Sequence, residues 1–178
     1  MTEAESLDGL RGQYRDIVLD AAGRIVLDRG WRSNAIAGSC RALLAAMLRG
    51  SPPTSGLVGM QVGAGLHAWD STGPPPATSA QTALVDPHPF TVGPTAMKLD
   101  FLAGNAVSAA PTNRLQIQTT LGPNLPAWPD LDHASASLRE FGLIATLGGG
   151  TVLINYVTHL VIAKDPASTL QRTIWLTF

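Results

Sequence analysis

Along the last third of the chain, residues 138–178, apolar residues come in three runs: 138–147, 151–163 and 169–178. Gly148-Gly149-Gly150 and Lys164-Asp165-Pro166 separate them. Runs rich in β-branched residues and bounded by Gly, Asp and Pro predict consecutive antiparallel strands, here a meander at the carboxyl end. In the last run Leu170, Arg172, Ile174, Leu176 and Phe178 share one face, and Thr169, Gln171, Thr173, Trp175 and Thr177 share the other. That is a period of two, with one face buried. The same alternation is clear in 114–121, where Leu115, Ile117, Thr119 and Leu121 face in and Gln116, Gln118 and Thr120 face out. In 57–63, Val58, Met60 and Val62 form an apolar face opposite a nearly bare one of Leu57, Gly59, Gln61 and Gly63, which another element can approach closely.

The remaining pattern is more broken. Two short apolar runs, 14–19 and 24–28, flank Asp20-Ala21-Ala22-Gly23 and predict a hairpin with Gly23 in its turn. Ile36, Cys40, Leu43, Leu44 and Met47 recur at helical spacing. They predict one helix over about 34–49, capped by Ser33 or Asn34 and stopped by Gly50. Residues 83–85, 90–92 and 96–102 predict further strands, whereas Pro74-Pro75-Pro76 predicts a stiff, exposed connection. The polar, acidic start has no hydrophobic period, so 1–13 is expected to be a flexible assembly arm and 14–178 a single domain. The expected fold is mainly β: an antiparallel β-sandwich of about seven to nine strands with one amino-terminal α-helix packed at its edge.

Composition narrows the function classes. The 178 residues are 45% hydrophobic and only 14% charged, with a formal net charge of −1; soluble domains usually carry about 25% charged residues. A surface so poor in charge fits either one covered by partners or a small neutral domain with a Thr, Ser and Gln exterior. Near-neutral charge without a basic run offers no footprint for nucleic acid. No apolar run approaches the roughly 20 residues that span a bilayer, and no start resembles a signal peptide, so a cytoplasmic chain without membrane insertion is expected. The single Cys40 excludes an internal disulfide and lies in an apolar helical pattern, as a buried structural thiol would.

Candidate chemistry is sparse. His67, His88, His133 and His159 stand on separate segments without the short spacings of a metal site. Glu140 and His159 could meet across adjacent strands, but a base without a nucleophile or an oxyanion donor is not an active site. Gly63-Ala64-Gly65 lacks the third glycine and the following helix of a nucleotide loop. No catalytic residue, cofactor or metal is therefore expected. Trp69 and Trp128, in proline-rich loops, and Trp175 are the candidate interface or ligand contacts.

Four stretches carry a resemblance: Met60-Gln61-Val62-Gly63-Ala64-Gly65, Trp69-Asp70, Glu140-Phe141-Gly142-Leu143, and Ile162-Ala163-Lys164 followed by 169–178. In this order, after an amino-terminal helix, the chain resembles small structural proteins of bacteriophage tails and related contractile injection systems over residues 34–178. The resemblance implies a non-enzymatic subunit built into a baseplate, fibre attachment, cap or ring. Its partners would be copies of itself and other tail or baseplate proteins, and its final location a virion or injection particle. A carbohydrate- or surface-ligand-binding sandwich that uses Trp69 and Trp128 is the alternative.

Overall fold

The computed structural model describes residues 9–178. Most of the expected arm lies outside the described residues, but Arg11, Gly12 and Gln13 belong to the first strand rather than to an arm. The strands are β1 (Arg11–Leu19), β2 (Ile25–Asp28), β3 (Arg32–Ile36), β4 (Thr54–Gly63), β5 (Phe90–Val92), β6 (Met97–Ala103), β7 (Ala106–Ser108), β8 (Arg114–Leu121), β9 (Ser137–Leu147), β10 (Gly150–Leu153), β11 (Asn155–Ala163) and β12 (Thr169–Thr177). Helix α1 (Gly38–Arg49), the single turn α2 (Trp69–Thr72) and a 3-10 turn at Pro94–Ala96 complete the described elements. Twelve strands and more than one helix thus replace the expected seven to nine strands and single helix.

All twelve strands join one antiparallel sheet in the order β5-β4-β9-β11-β3-β1-β12-β8-β6-β7, with β10 on β9 and β2 on β1. The sheet folds over on itself. Tyr14, Val18, Ile117, Leu121, Ile174 and Leu176 from one half pack in the same core as Met60, Val62, Phe141, Leu143, Val157 and Ile162 from the other. Each such side chain contributes about 1.5 to 3 kcal/mol by leaving water. Most inward positions are the alternating ones read from the sequence, and Leu121, Leu170 and Ile174 are fully buried; but Phe178 is 40% exposed, and a register shift at 57–59 turns Val58 away from Met60 and Val62, outside this core, while Leu57 packs against it.

Strand β3 carries the sheet from one half to the other. Its Arg32, Ser33 and Asn34 pair with β1 at Tyr14, Gln13 and Gly12, while Ala35 and Ile36 pair with Tyr156 and Asn155 of β11. These pairings explain why the helix starts later than expected. Ser33 and Asn34 are held in the ladder, so neither caps α1, and Ala37 stands at its amino end with its own N–H donated to Ile154 O. Gly50 ends the helix in the left-handed region, as expected of a glycine stop.

The terminal meander holds only in part. Run 151–163 is two strands, β10 and β11, both paired to β9. At the break the Asn155 side-chain oxygen accepts the Leu143 N–H, and Ile154 N–H reaches Leu143 O. Strand β12 then leaves β11 and inserts between β1 and β8. The long loop after β4 is not simply an exposed connection. Leu84 and Ala77 pack on Ile144, Leu153 and Tyr156, covering the outer face of β9 and β11 with a second small core. Residues 83–85 form no strand there.

Candidate functional site

Among the described residues, most ionisable groups of the interior fall into three clamps; Lys164 stands apart, its Nζ donating to Gly122 O and Ser168 O at 2.8 Å each. In the first, Arg172 of β12 lies in register with Asp16 of β1. Its Nε and Nη2 donate to the two Asp16 oxygens at 2.7 and 2.9 Å, and both side chains are fully buried. Burial alone would raise the Asp16 carboxyl, but Arg172 outweighs it and holds the group below its ordinary value. His159 of β11 lies beside them, with Nε2 3.3 Å from Arg172 Nη2 and Nδ1 2.8 Å from Leu160 O. Burial first, and the Arg172 charge second, push its pKa down to about 3. The ring is therefore neutral, with Nδ1–H donating to Leu160 O and Nε2 accepting from Arg172. Arg29 seals this side of the fold, donating to Leu160 O at 2.6 Å and Val161 O at 2.8 Å.

The second clamp holds the loop over the outer face. Glu140, buried on β9, accepts the N–H groups of Val85 (3.0 Å) and Asp86 (2.7 Å) and the Tyr156 hydroxyl (2.5 Å). Burial and the Glu140 charge raise the Tyr156 phenol. Asp86 in turn accepts Ala64 N–H at 2.7 Å and lies 3.0 Å from His133 Nε2. Asp130 lies 2.8 Å from His133 Nδ1. Trp128 stacks on the His133 ring at 3.8 Å. Both nitrogens of His133 are thus held between carboxylates. Glu140 sits opposite Thr158, so the two residues that could have met, Glu140 and His159, do not: His159 points to the core face, towards Phe141.

The third clamp joins Arg139 to α2. Its Nε and Nη2 donate to the two oxygens of Asp70 at 2.7 Å each, and Nη1 donates to Ala64 O at 2.8 Å. That bidentate bond lowers the Asp70 pKa. Gly65 is in the left-handed region, and a β-carbon there would lie 2.5 Å from the Trp69 ring; one on Gly63 would lie 2.7 Å from Glu140 Oε1. Gly63, Gly65, Trp69, Asp70 and Glu140, drawn from three of the stretches that carry the resemblance, therefore share one corner of the fold.

Of the candidate contact residues, Trp69 and Trp128 are buried in these clamps and present no ring to a ligand. Trp175 differs: it stands on the outer face of β12, with its indole N–H donated to Gln116 Oε1 at 2.9 Å. The Trp31 ring lies against it, tilted by 32° with the ring centres 3.9 Å apart. The Arg114 guanidinium lies 4.2 Å from the Trp175 ring centre. Beside this stack is an open groove of about 510 Å³. Among the described residues no group of three or more His, Cys, Asp or Glu side chains could hold a metal ion, and no helix is long and apolar enough to cross a membrane. Comparison with protein-family models, curated proteins and solved structures finds no match for the chain.

Proposed function

We propose that this chain is a non-enzymatic structural subunit of a phage-tail-like contractile injection particle, bound to copies of itself and to other particle proteins. It would be made in the cytoplasm and end in the assembled particle, its fold serving as a β-sandwich building block. The observation that carries this reading is the open end of the sheet. Leu99 and Phe101 of β6 lie in register with Ile117 and Leu115 and so share the core-facing side, yet they are 44% and 38% exposed. Val107 of β7, the last strand in the order, is 61% exposed. An edge strand with uncovered apolar side chains is a hazard for a lone monomer and a natural contact for a subunit that is covered on assembly.

The resemblance adds to this, because residues it rests on serve to position the loop over β9 rather than to face solvent. The rival ligand-binding reading loses the carriers named for it, since Trp69 and Trp128 are buried. The test is the pair Phe101→Asp and Val107→Lys, made together in a cell that produces the particle. The variant should fold with an unchanged circular dichroism spectrum but fail to co-sediment with particles. Undiminished incorporation would remove the reading. So would a reaction of the purified chain that vanished on replacing one of His67, Asp70, His133, Glu140 or His159.

A further inference from the structure

We propose that this chain binds a second copy of itself through a knob and a groove: Leu131, between Asp130 and Asp132, seats in the groove at the carboxyl end of α1 of the next copy. This rests on the reading that copies of the chain bind one another, and names the surfaces by which they do so. The knob is the turn that precedes β9. Asp130 N–H donates to His133 O at 2.9 Å, and Asp130 Oδ1 accepts the Asp132 and His133 N–H groups at 2.9 and 2.8 Å. The His133 ring, 3.0 Å from Asp86 Oδ2 and stacked on Trp128, anchors the turn. Leu131 at its tip is nonetheless fully exposed. A leucine presented by a turn already held in place loses little further freedom when a partner buries it.

The groove has a volume of about 450 Å³ and is lined by Met47 of α1, by Pro52, Pro53 and Thr54 after it, and by Thr146 of β9. Its walls are tied down: Ser51 N–H donates to Ala46 O at 2.9 Å, and Gly149 N–H to Pro53 O at 3.3 Å. None of its described lining residues is charged, but its rim is basic. Arg49 stands exposed next to the lining Gly50, α1 contains Arg41 and Arg49 and no acidic residue, and Leu48 beside them is 91% exposed. On the knob the Asp130 and Asp132 side chains are 40% and 49% exposed, and the His88 ring stands 3.8 Å from Asp132, too far for a hydrogen bond. Knob and groove therefore match: an apolar centre rimmed by opposite charges is what a contact between proteins requires. The two cannot meet within one chain. Asp86 ties the turn to the Glu140 end of β9, whereas the groove includes Thr146 and Thr54 at the other end, where Thr54 pairs with Leu147. The span from Glu140 to Thr146 along a strand is about 20 Å, so the groove that takes the knob belongs to another copy.

Sedimentation velocity of the full purified chain at rising concentration and low salt tests this contact. The parent should self-associate, and more weakly as salt rises. Asp132→Arg or Arg49→Asp alone sets like charges face to face and should weaken association by about tenfold or more. An equimolar mixture of the two variants should regain it, since each knob then meets a groove of opposite sign. Leu131→Ser should weaken association as well. All three side chains are exposed, so thermal midpoints should stay close to that of the parent. A chain that stays monomeric at every concentration, charge swaps without effect, or a mixture no better than either variant alone would each overturn the proposal. Association that ignores the swaps but is lost with Phe101→Asp and Val107→Lys would place the self-contact at β6 and β7 instead. None of these outcomes depends on a particle, so failure here is distinguishable from failure of the co-sedimentation test above.

Discussion

Arg172 is the largest of the fully buried side chains, and its placement sets the electrostatics of the core. Its charge is met by Asp16, by the neutral His159 and by the Phe141 ring 3.6 Å beneath it. Removing one member of a buried pair strands the other, at a cost of about 3 to 5 kcal/mol, whereas replacing both with apolar residues can be close to neutral. Asp16→Ala should therefore lower stability by about that amount, and Asp16→Leu combined with Arg172→Met by clearly less; urea unfolding of the parent and both variants measures the difference. His159 adds a pH dependence. Unfolded, it takes up a proton near its ordinary value of 6.5, but folded it stays neutral down to about 3. Between those values the unfolded chain binds more protons, so this contribution is intact above pH 6.5 and is lost as pH falls, by at most about 1.4 kcal/mol per unit. Asp16, held below 3.8, adds its own loss only at lower pH. Urea midpoints at pH 7 and pH 5 should thus differ in the parent and converge in His159→Gln; an equal pH response in both would assign the effect elsewhere. Arg172 was legible as an inward position, and Asp16 falls on the inward alternation of its own strand. What single-strand patterns leave out is the register that sets the two face to face.

At the scale of elements, strands with strict alternation were legible and strands set by tertiary pairing were not. Residues 114–121 read as β8 to the residue, because Leu115, Ile117 and Leu121 alternate with polar side chains and Thr119 keeps the period. Strand β3 has no such pattern; Arg32, Ser33 and Asn34 are strand because β1 and β11 claim their backbones, overriding the capping propensity of Ser and Asn. The split of 151–163 depends likewise on Gly142 across the ladder. A β-carbon on Gly142 would lie 2.5 Å from Leu153 Cδ1 and 2.6 Å from Asn155 O, so only glycine lets the broken strand cross there. Gly142→Ala should destabilise by about 1 to 3 kcal/mol, the usual cost of overpacking. Gly56→Ala on β4, where a β-carbon meets nothing within 4 Å, should change stability by no more than about 0.5 kcal/mol. Equal effects of the two in urea unfolding would mean that the break does not depend on the bare face of Gly142. The candidate contact at Trp175 was half legible: Trp175 and Arg114 fall on outward positions of alternating strands, but Trp31 reaches them from a loop, which no period announces.

For the whole molecule the decisive connection is the one from β11 to β12, since it carries the chain from one half of the folded-over sheet to the other. Strand β12 pairs with β1 along nine residues, Leu19↔Thr169 through Arg11↔Thr177, and with β8 along eight. It also places Leu170, Arg172, Ile174 and Leu176 in the core shared by both halves. Without it β1 and β8 lose their common neighbour at the same moment that Asp16 loses its cation, and the core loses three apolar side chains worth about 1.5 to 3 kcal/mol each. Net stabilities of domains are typically about 5 to 15 kcal/mol, so the combined loss is of the size of the whole. A chain ending at Lys164 should therefore be insoluble or lack a cooperative transition. The intact chain should unfold in one step, with tryptophan fluorescence and far-ultraviolet circular dichroism giving the same midpoint. Its four tryptophans sample the outer face and the loop clamps, so the two probes would separate if either half melted alone. A truncated chain that stayed soluble with a sharp melting transition would show that the halves do not need β12, and would place the centre of the fold in β4, β9 and β11 instead.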